Sequence, residues 1–204
     1  MNNILSYLDE LYPNPKCELN YSKDYELLIA TVLSAQTTDK RVNMVTKVLF
    51  SKYPSIKELS QAPISDIENI IREIGTHRRK SVYIHEIAKR VYDDGYNYVP
   101  TDRKYIESLP GVGHKTANVF LSNMYGEPAI AVDTHVSRVS KRLGIEKSSD
   151  DVLKIEKKLM RKFPKDKWSK LHHQLVLFGR YKCKAINPEC SDCKFKSICK
   201  KNRT

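Results

Sequence analysis

The chain has 204 residues, 40% of them hydrophobic, with 36 Lys and Arg against 24 Asp and Glu for a formal charge of +12. This is enough for one large domain or two small ones with a real core, and the chain should fold throughout. The excess of positive charge points to a polyanionic partner, nucleic acid before an anionic membrane. No apolar run approaches the length of a membrane span, and Met1-Asn-Asn-Ile-Leu-Ser-Tyr-Leu-Asp-Glu10 turns acidic before a signal-peptide core can form, so a cytoplasmic protein is expected.

Taken in order, Ile4, Leu5, Leu8 and Leu11 sit at helical spacing, and Pro13 and Pro15 end that helix. Asp24 is expected to cap a helix through Leu27, Leu28, Val32 and Leu33, which the polar Ser34-Ala-Gln-Thr-Thr-Asp39 interrupts before a helix marked by Val42, Val45, Val48 and Leu49. Ser55 with Glu58, and Ser65 with Glu68, read as capping boxes of two short helices stopping near Gln61 and Gly75. A longer helix through Val82, Ile84, Ile87 and Val91 stops at Gly95. Thr101 is the expected N-cap of a short helix with Ile106 and Leu109 facing inward.

Pro110 to Gly113 forms a tight turn, where proline presets φ and the glycines can take conformations closed to other residues. The next helix carries Ala117, Phe120, Leu121 and Met124 on one face and stops at Gly126. Asp133 is placed to cap a helix ending at Gly144; Ser148 or Ser149 starts another, through Leu153, Ile155 and Leu159, closed by Pro164. The last helix carries Trp168, Leu171, Leu175, Val176 and Phe178. Period-two alternation is nearly absent, and Ala129-Ile-Ala-Val132 reads as extended linker. The fold class is all-α, with about ten helices.

Two features carry chemistry. The helix, Gly-x-Gly turn, helix unit over about 102–126 can point backbone N–H groups at a phosphate from the positive end of a helix. Lys115 lies at that same end, where a cation is disfavoured and a neutral amine, the form that attacks an electrophilic carbon, is favoured. The alternative is a surface lysine beside a helical corner. The second feature is Cys183, Cys190, Cys193 and Cys199, spaced C-x6-C-x2-C-x5-C. Four cysteines so crowded favour a metal in a reducing compartment over disulfides; spacing alone leaves zinc and an iron–sulfur cluster nearly balanced. Cys17, distant in sequence, reads as a small buried hydrophobe.

Leu109-Pro-Gly-Val-Gly-His-Lys-Thr-Ala-Asn118 and Val132-Asp-Thr-His-Val-Ser-Arg138 together resemble the helix-hairpin-helix DNA glycosylase superfamily, specifically endonuclease III. The likeness extends to Glu18-Leu-Asn, Glu26-Leu-Leu-Ile-Ala, Leu33-Ser-Ala-Gln-Thr-Thr-Asp39 and Gly179-Arg-Tyr-Lys-Cys183, nearly the whole chain. The resemblance implies two helical lobes with the active-site cleft between them: residues 17–127, carrying the hairpin, and residues 1–16 with 128–204, carrying the cysteines. It implies Lys115 as the nucleophile on C1′ of a damaged nucleotide and Asp133 as the group that assists proton transfer. It also implies a mainly structural [4Fe-4S] cluster on Cys183, Cys190, Cys193 and Cys199. Gln36 would fill the space left by the extruded nucleotide. Ser34, Asp39 and Glu107 would form a proton relay, Gly111 and Gly113 would meet a phosphate, and His135 would touch phosphate or substrate.

The chain departs from that pattern in places. Thr76 stands at an apolar wedge position and Arg78 where asparagine is usual, so intercalation should weaken while Arg78, Arg79 and Lys80 strengthen phosphate contacts. The Cys183–Cys190 loop is less basic than in relatives, with positive charge at Lys194, Lys196, Lys200 and Lys201 instead; His114 replaces a common arginine and Phe178 a common histidine. His172 and His173 read as packing near the cysteines. The expectation is a bifunctional glycosylase and abasic-site lyase acting on oxidised pyrimidines in duplex DNA, a monomer, nucleoid-associated in the cytoplasm, with no membrane partner. One rival is an adenine-type mismatch glycosylase of the same superfamily, opposed by Lys115 and by the lack of an extra C-terminal recognition domain. The other is a non-catalytic DNA-binding iron–sulfur module.

Overall fold

The computed structural model describes residues 2–147 and 149–203. Among them are eleven α-helices and no strand: α1 (Asn2–Leu11), α2 (Asp24–Leu33), α3 (Asp39–Lys52), α4 (Ile56–Ser60), α5 (Ile64–Ile70), α6 (His77–Asp93), α7 (Arg103–Ser108), α8 (His114–Tyr125), α9 (Thr134–Arg142), α10 (Val152–Lys162) and α11 (Trp168–Leu177). Residues 127–133 run without regular structure, as the linker reading expects. None of these helices is long and apolar enough to cross a membrane.

The chain divides into two compact units, Cys17–Tyr125 and Met1–Lys16 with Gly126–Thr204. The second crossing falls at Gly126, whose φ of +69° ends α8. In Cys17–Tyr125, α2 is buried from Tyr25 through Leu33 and forms the middle of the core. Around it pack Val42, Val45 and Leu49 of α3, Ile84, Ile87 and Val91 of α6, and Ala117, Phe120 and Leu121 of α8. An all-round apolar helix has no solvent face to offer, so its neighbours must supply the polar surface. Cys17 packs half-buried at the margin of this core.

In the other unit, α1 supplies Ile4, Tyr7 and Leu8 to a core shared with Val136 and Val139 of α9, Ile155 and Leu159 of α10, and Leu171 and Leu175 of α11. Tyr7, Phe178 and Phe195 meet edge to face, with centroids 4.8 Å apart for Tyr7–Phe195 and 5.4 Å for Phe178–Phe195. Phe195 lies between Cys193 and Cys199, so the cysteine segment is fastened to the core by a ring of its own.

Several caps differ from expectation. Asp102, not Thr101, caps α7, accepting from the Tyr105 N–H at 2.7 Å. Asp24 is the first residue of α2; the cap there is the buried Glu26 carboxylate, which accepts from the Ser22 N–H at 2.6 Å and the Lys23 N–H at 3.2 Å. Asp24 accepts from the adjacent Tyr25 N–H at 2.7 Å and, with its other oxygen, from the Val99 N–H at 2.6 Å. Ser65 lies inside α5, which starts after Pro63, whereas Ser55 and Glu58 do pair at the start of α4. Ser149 does not start α10; Asp151 does, accepting from the Lys154 N–H at 2.8 Å, and Ser148 lies outside the described residues. Where polar residues adjoin one another, the one chosen depends on tertiary bonds that the local sequence does not contain.

Candidate active site

The hairpin between α7 and α8 is built on Gly111. Its φ is +75°, and a Cβ there would stand 2.5 Å from Cδ2 of Tyr83. Gly113 has no such requirement: its φ is ordinary and nothing lies within 4 Å of a would-be Cβ. The expectation that both glycines are needed for their conformation is therefore corrected at Gly113, which fronts open space at the start of α8. The first-turn N–H groups of a helix have no acceptor within it, and here they follow directly on that open glycine.

Lys115 is the second residue of α8 and exposed, and among the described residues its side chain has no hydrogen-bond or ion-pair partner. Beside it the two hairpin helices are laced by polar side chains. Glu107 Oε1 accepts from Arg103 Nη1 and faces His114 Nδ1, both at 3.3 Å, and Arg103 Nη1 also donates to Asn118 Oδ1 at 2.9 Å. Glu107, a candidate relay residue, is thus flanked by the Arg103 guanidinium and the His114 ring.

The other DNA-facing candidates of this unit sit on two neighbouring segments. Gln36 is exposed in the break between α2 and α3, and Thr76 is exposed just before α6; each has φ of 58°. Left-handed geometry costs a non-glycine residue about 1–2 kcal/mol, more awkwardly for a β-branched one. The segments adjoin, since a Gly75 Cβ would lie 3.9 Å from the Gln36 carbonyl oxygen. The Thr76 hydroxyl donates to the Gly75 carbonyl at 2.6 Å and does not cap α6. Ser34 donates to the Thr31 carbonyl at 2.7 Å, and Asp39 opens α3. Arg78 is exposed, with its Nε 3.6 Å from Glu68.

Lys80 requires a correction. The sequence reading gave it a phosphate contact, but its side chain is buried, 5% exposed, and Nζ donates to the carbonyls of Leu33 at 2.9 Å and Ala35 at 2.6 Å. An ammonium so enclosed is not available to a phosphate. Burial, with Arg79 adding to it, pulls its pKa below the ordinary lysine range.

In the other unit Asp133 is the N-cap of α9, its Oδ1 accepting from the Val136 N–H at 2.8 Å, as expected. One carboxylate oxygen is thereby fixed, and among the described residues no donor meets Oδ2. His135 Nδ1 faces Arg138 Nη2 at 3.1 Å. Arg138 also donates to the carbonyls of Gly179 at 2.6 Å and Cys183 at 3.2 Å, binding α9 to the π-helical turn Phe178–Lys182. Gly179 permits this approach, for a Cβ there would lie 2.8 Å from the His135 Cβ.

The four cysteines line one pocket with Arg142, Phe178 and Phe195, and none of them forms a disulfide. Among the described residues no group of three or more His, Cys, Asp or Glu side chains is placed to hold a metal ion. The sequence reading missed Arg142. Its Nη1 donates to Cys183 Sγ at 3.2 Å and to the Lys184 carbonyl at 2.7 Å, and its Nη2 to the Ala185 carbonyl at 3.1 Å. An arginine nine residues beyond a helix cap carries no local signal of this. Much nearby positive charge is paired: Lys182 with Asp192, Lys184 with Glu189 and Lys194 with Glu10. His172 is buried, and burial lowers the His173 pKa.

Residues 29–165 match the family model described as HhH-GPD superfamily base excision DNA repair protein. The chain is 47% identical over 199 residues to endonuclease III of Bacillus subtilis (strain 168), covering 98% of this chain and 91% of that one. It is 40% identical over 200 residues to endonuclease III of Rickettsia felis, covering 98% and 93%. The structure of a trapped endonuclease III–DNA covalent intermediate, an estranged-adenine complex, superposes with a TM-score of 0.95 at 46% identity, covering 99% of this chain and 95% of the other. The hairpin with its lysine, the capped aspartate and the cysteine-lined cavity thus occur in a chain that belongs to the endonuclease III family of the HhH-GPD base excision DNA repair proteins.

Proposed function

We propose that this enzyme of base excision repair is a bifunctional DNA glycosylase and abasic-site lyase that excises oxidised pyrimidines from duplex DNA, with Lys115 as nucleophile and Asp133 as its acid–base partner. The observation that carries the reading is Lys115 itself: exposed, unpaired among the described residues, and in the first turn of α8 behind an open Gly113. The likeness to an endonuclease III trapped covalently on DNA supports it.

The target carbon is inaccessible inside the base stack, so the nucleotide must leave the helix at a cost of about a few kcal/mol. Gln36 and Thr76 are the side chains offered to the gap, Gly111 and Gly113 bring the hairpin backbone to a phosphate, and Arg78 adds charge. The Lys115 amine forms the Nζ–C1′ bond while the bond from C1′ to the base breaks and its electron pair leaves with the base. Asp133, held by its cap bond, stabilises positive charge on the sugar and takes up the amine proton. The C1′–O4′ bond then breaks, its electron pair going to O4′, which takes the proton back from Asp133, while the Nζ lone pair forms the C1′=N bond; the opened sugar is an imine of Lys115. Loss of a 2′ proton forms the C1′–C2′–C3′ conjugated system and expels the 3′ phosphate, which cuts the strand. A water-only glycosylase needs no lysine at this position.

Cys183, Cys190, Cys193 and Cys199 would hold a [4Fe-4S] cluster. An all-thiolate set with an arginine donating to one sulfur is compatible with a cluster or with zinc, and the likeness to endonuclease III favours the cluster. Bound there, it supplies a cross-link over residues 183–199 and no redox step, because breaking a glycosidic bond needs no electron. A nucleoid-associated place in the cytoplasm follows from the substrate.

Borohydride trapping on a duplex with one abasic site tests the nucleophile. Wild type should give a covalent adduct and Lys115→Ala none. If both cross-link, another amine is the nucleophile; if neither does, the lyase assignment is wrong and the non-catalytic DNA-binding module becomes the better reading.

A further inference from the structure

The two segments that the proposed function aims into the duplex are separated by some forty residues in sequence, yet one side chain ties them together. The Lys80 backbone N–H donates to the Thr76 carbonyl at 3.0 Å. Its ammonium donates to Leu33, the last residue of α2, and to Ala35, the residue before Gln36. Gln36 and Thr76 are both left-handed non-glycine residues, a geometry that persists only where the surroundings enforce it. Among the described residues no carboxylate pairs with Lys80, and a buried cation held by carbonyls alone is unfavourable unless geometry requires it. A methionine would fill the same volume without that burden, so general packing does not explain the lysine.

We propose that Lys80 is a positioning residue that locks the Gln36 loop and the Thr76 turn into one preformed wedge, so that both enter the duplex together. The proposal rests on the functional reading above. Without the ammonium, each segment relaxes separately and the pair must be ordered at the moment of binding, which lowers affinity for a duplex that has to be opened. A single-stranded abasic substrate has no stack to open and no orphan base, so its reaction at Lys115 does not depend on the wedge.

The test compares full-length wild type, Lys80→Met and Lys80→Arg, below the unfolding midpoint of each. One arm follows the fluorescence of 2-aminopurine opposite a tetrahydrofuran abasic analogue in a duplex; the other measures borohydride trapping on duplex and on single-stranded abasic DNA. Lys80→Met should lose most of the fluorescence change and trap on duplex about tenfold less efficiently, a penalty of about 1.4 kcal/mol, with the single-strand rate unchanged. Lys80→Arg, able to donate to both carbonyls, should restore much of the signal. If Lys80→Met does not fold, Lys80→Gln replaces it, with the same losses at smaller amplitude. A methionine or glutamine variant with a wild-type fluorescence change and duplex preference overturns the proposal, however far its midpoint falls. Equal losses on duplex and single strand overturn it as well. Failure of wild type to trap on either substrate would sink the functional reading instead, while the fluorescence arm, which needs only binding, would still judge Lys80.

Discussion

Replacing Gly111 and Gly113 by alanine, one at a time, should separate what holds the hairpin together from what it presents to DNA. At Gly111 two penalties add. A φ of +75° costs an L-residue about 1–2 kcal/mol. The new Cβ would also lie 2.5 Å from Cδ2 of Tyr83, a ring packed at the core margin, and such overpacking costs about 1–3 kcal/mol. Gly111→Ala should therefore lose about 2–5 kcal/mol, or about 2–4 °C in Tm for each of those kcal/mol in a chain of this length. At Gly113 neither penalty applies, and the change should stay within about 1 kcal/mol of wild type. Gly113→Ala nevertheless puts a methyl where the hairpin backbone is expected to meet a phosphate, so its loss should appear in binding to a duplex. Thermal unfolding and titration of a labelled abasic-analogue duplex read the two effects. Removing the obstacle divides the first number: Gly111→Ala in a Tyr83→Ala background should cost only the backbone share. If the two alanines destabilise equally, or truncating Tyr83 recovers nothing, the account of this turn is wrong.

Three further outcomes are expected. Asp133→Ser keeps a capping oxygen and should unfold within a few tenths of a kcal/mol of wild type while losing strand cleavage; Asp133→Ala should lose cleavage and about 1 kcal/mol of stability as well. Comparable activity in the serine variant would remove Asp133 from the chemistry. Arg142→Leu removes the donor to Cys183 Sγ and three bonds to the following carbonyls, so a chelator should strip iron from the variant faster than from wild type, read as loss of the brown absorbance. Equal rates would confine Arg142 to packing. Glu146 is buried, and burial raises its pKa above 4.5 by more than Lys158, 3.1 Å away, lowers it. Its charged form thus penalises the fold above the raised pKa, and stability recovers as pH falls toward the unfolded value. Glu146→Gln should raise Tm at pH 7 and leave it unchanged below about pH 4; a gain of the same size at both pH values would contradict this.

What could be read from the sequence was what is decided within a few residues. Pro110-Gly111 specifies a turn by its own backbone, and Asp133 caps α9 through a bond to a residue three positions on. Helix interiors were legible for the same reason, since the spacing of Val136 and Val139, or of Ala117, Phe120 and Leu121, states which face is buried. Choices made by distant partners were not legible. Asp24 and Glu26 look alike as N-terminal acids, yet Glu26 takes the Ser22 and Lys23 N–H groups while Asp24 also reaches the Val99 N–H, seventy-five positions later. Lys80 sits in a basic run, Arg78-Arg79-Lys80, whose composition reads as a charged surface. The periodicity of α6 turns Lys80 inward with Ile84, Ile87 and Val91, and two carbonyls from the end of α2 make that burial tolerable.

The three basic neighbours show how one charge pattern divides into separate roles. Arg78 remains exposed and can meet a phosphate, Arg79 lies 5.9 Å from the Tyr83 ring, and Lys80 closes on the Gln36 loop. Tyr83 is also the side chain that excludes a Cβ at Gly111. The first two turns of α6 therefore touch the hairpin that precedes Lys115 and both segments aimed at the gap. Substitutions there that leave net charge unaltered, Arg79→Lys or Lys80→Arg, probe geometry rather than attraction. Their effect on binding should persist at high salt, whereas the loss in Arg78→Ala, a matter of released counterions, should fade as salt rises.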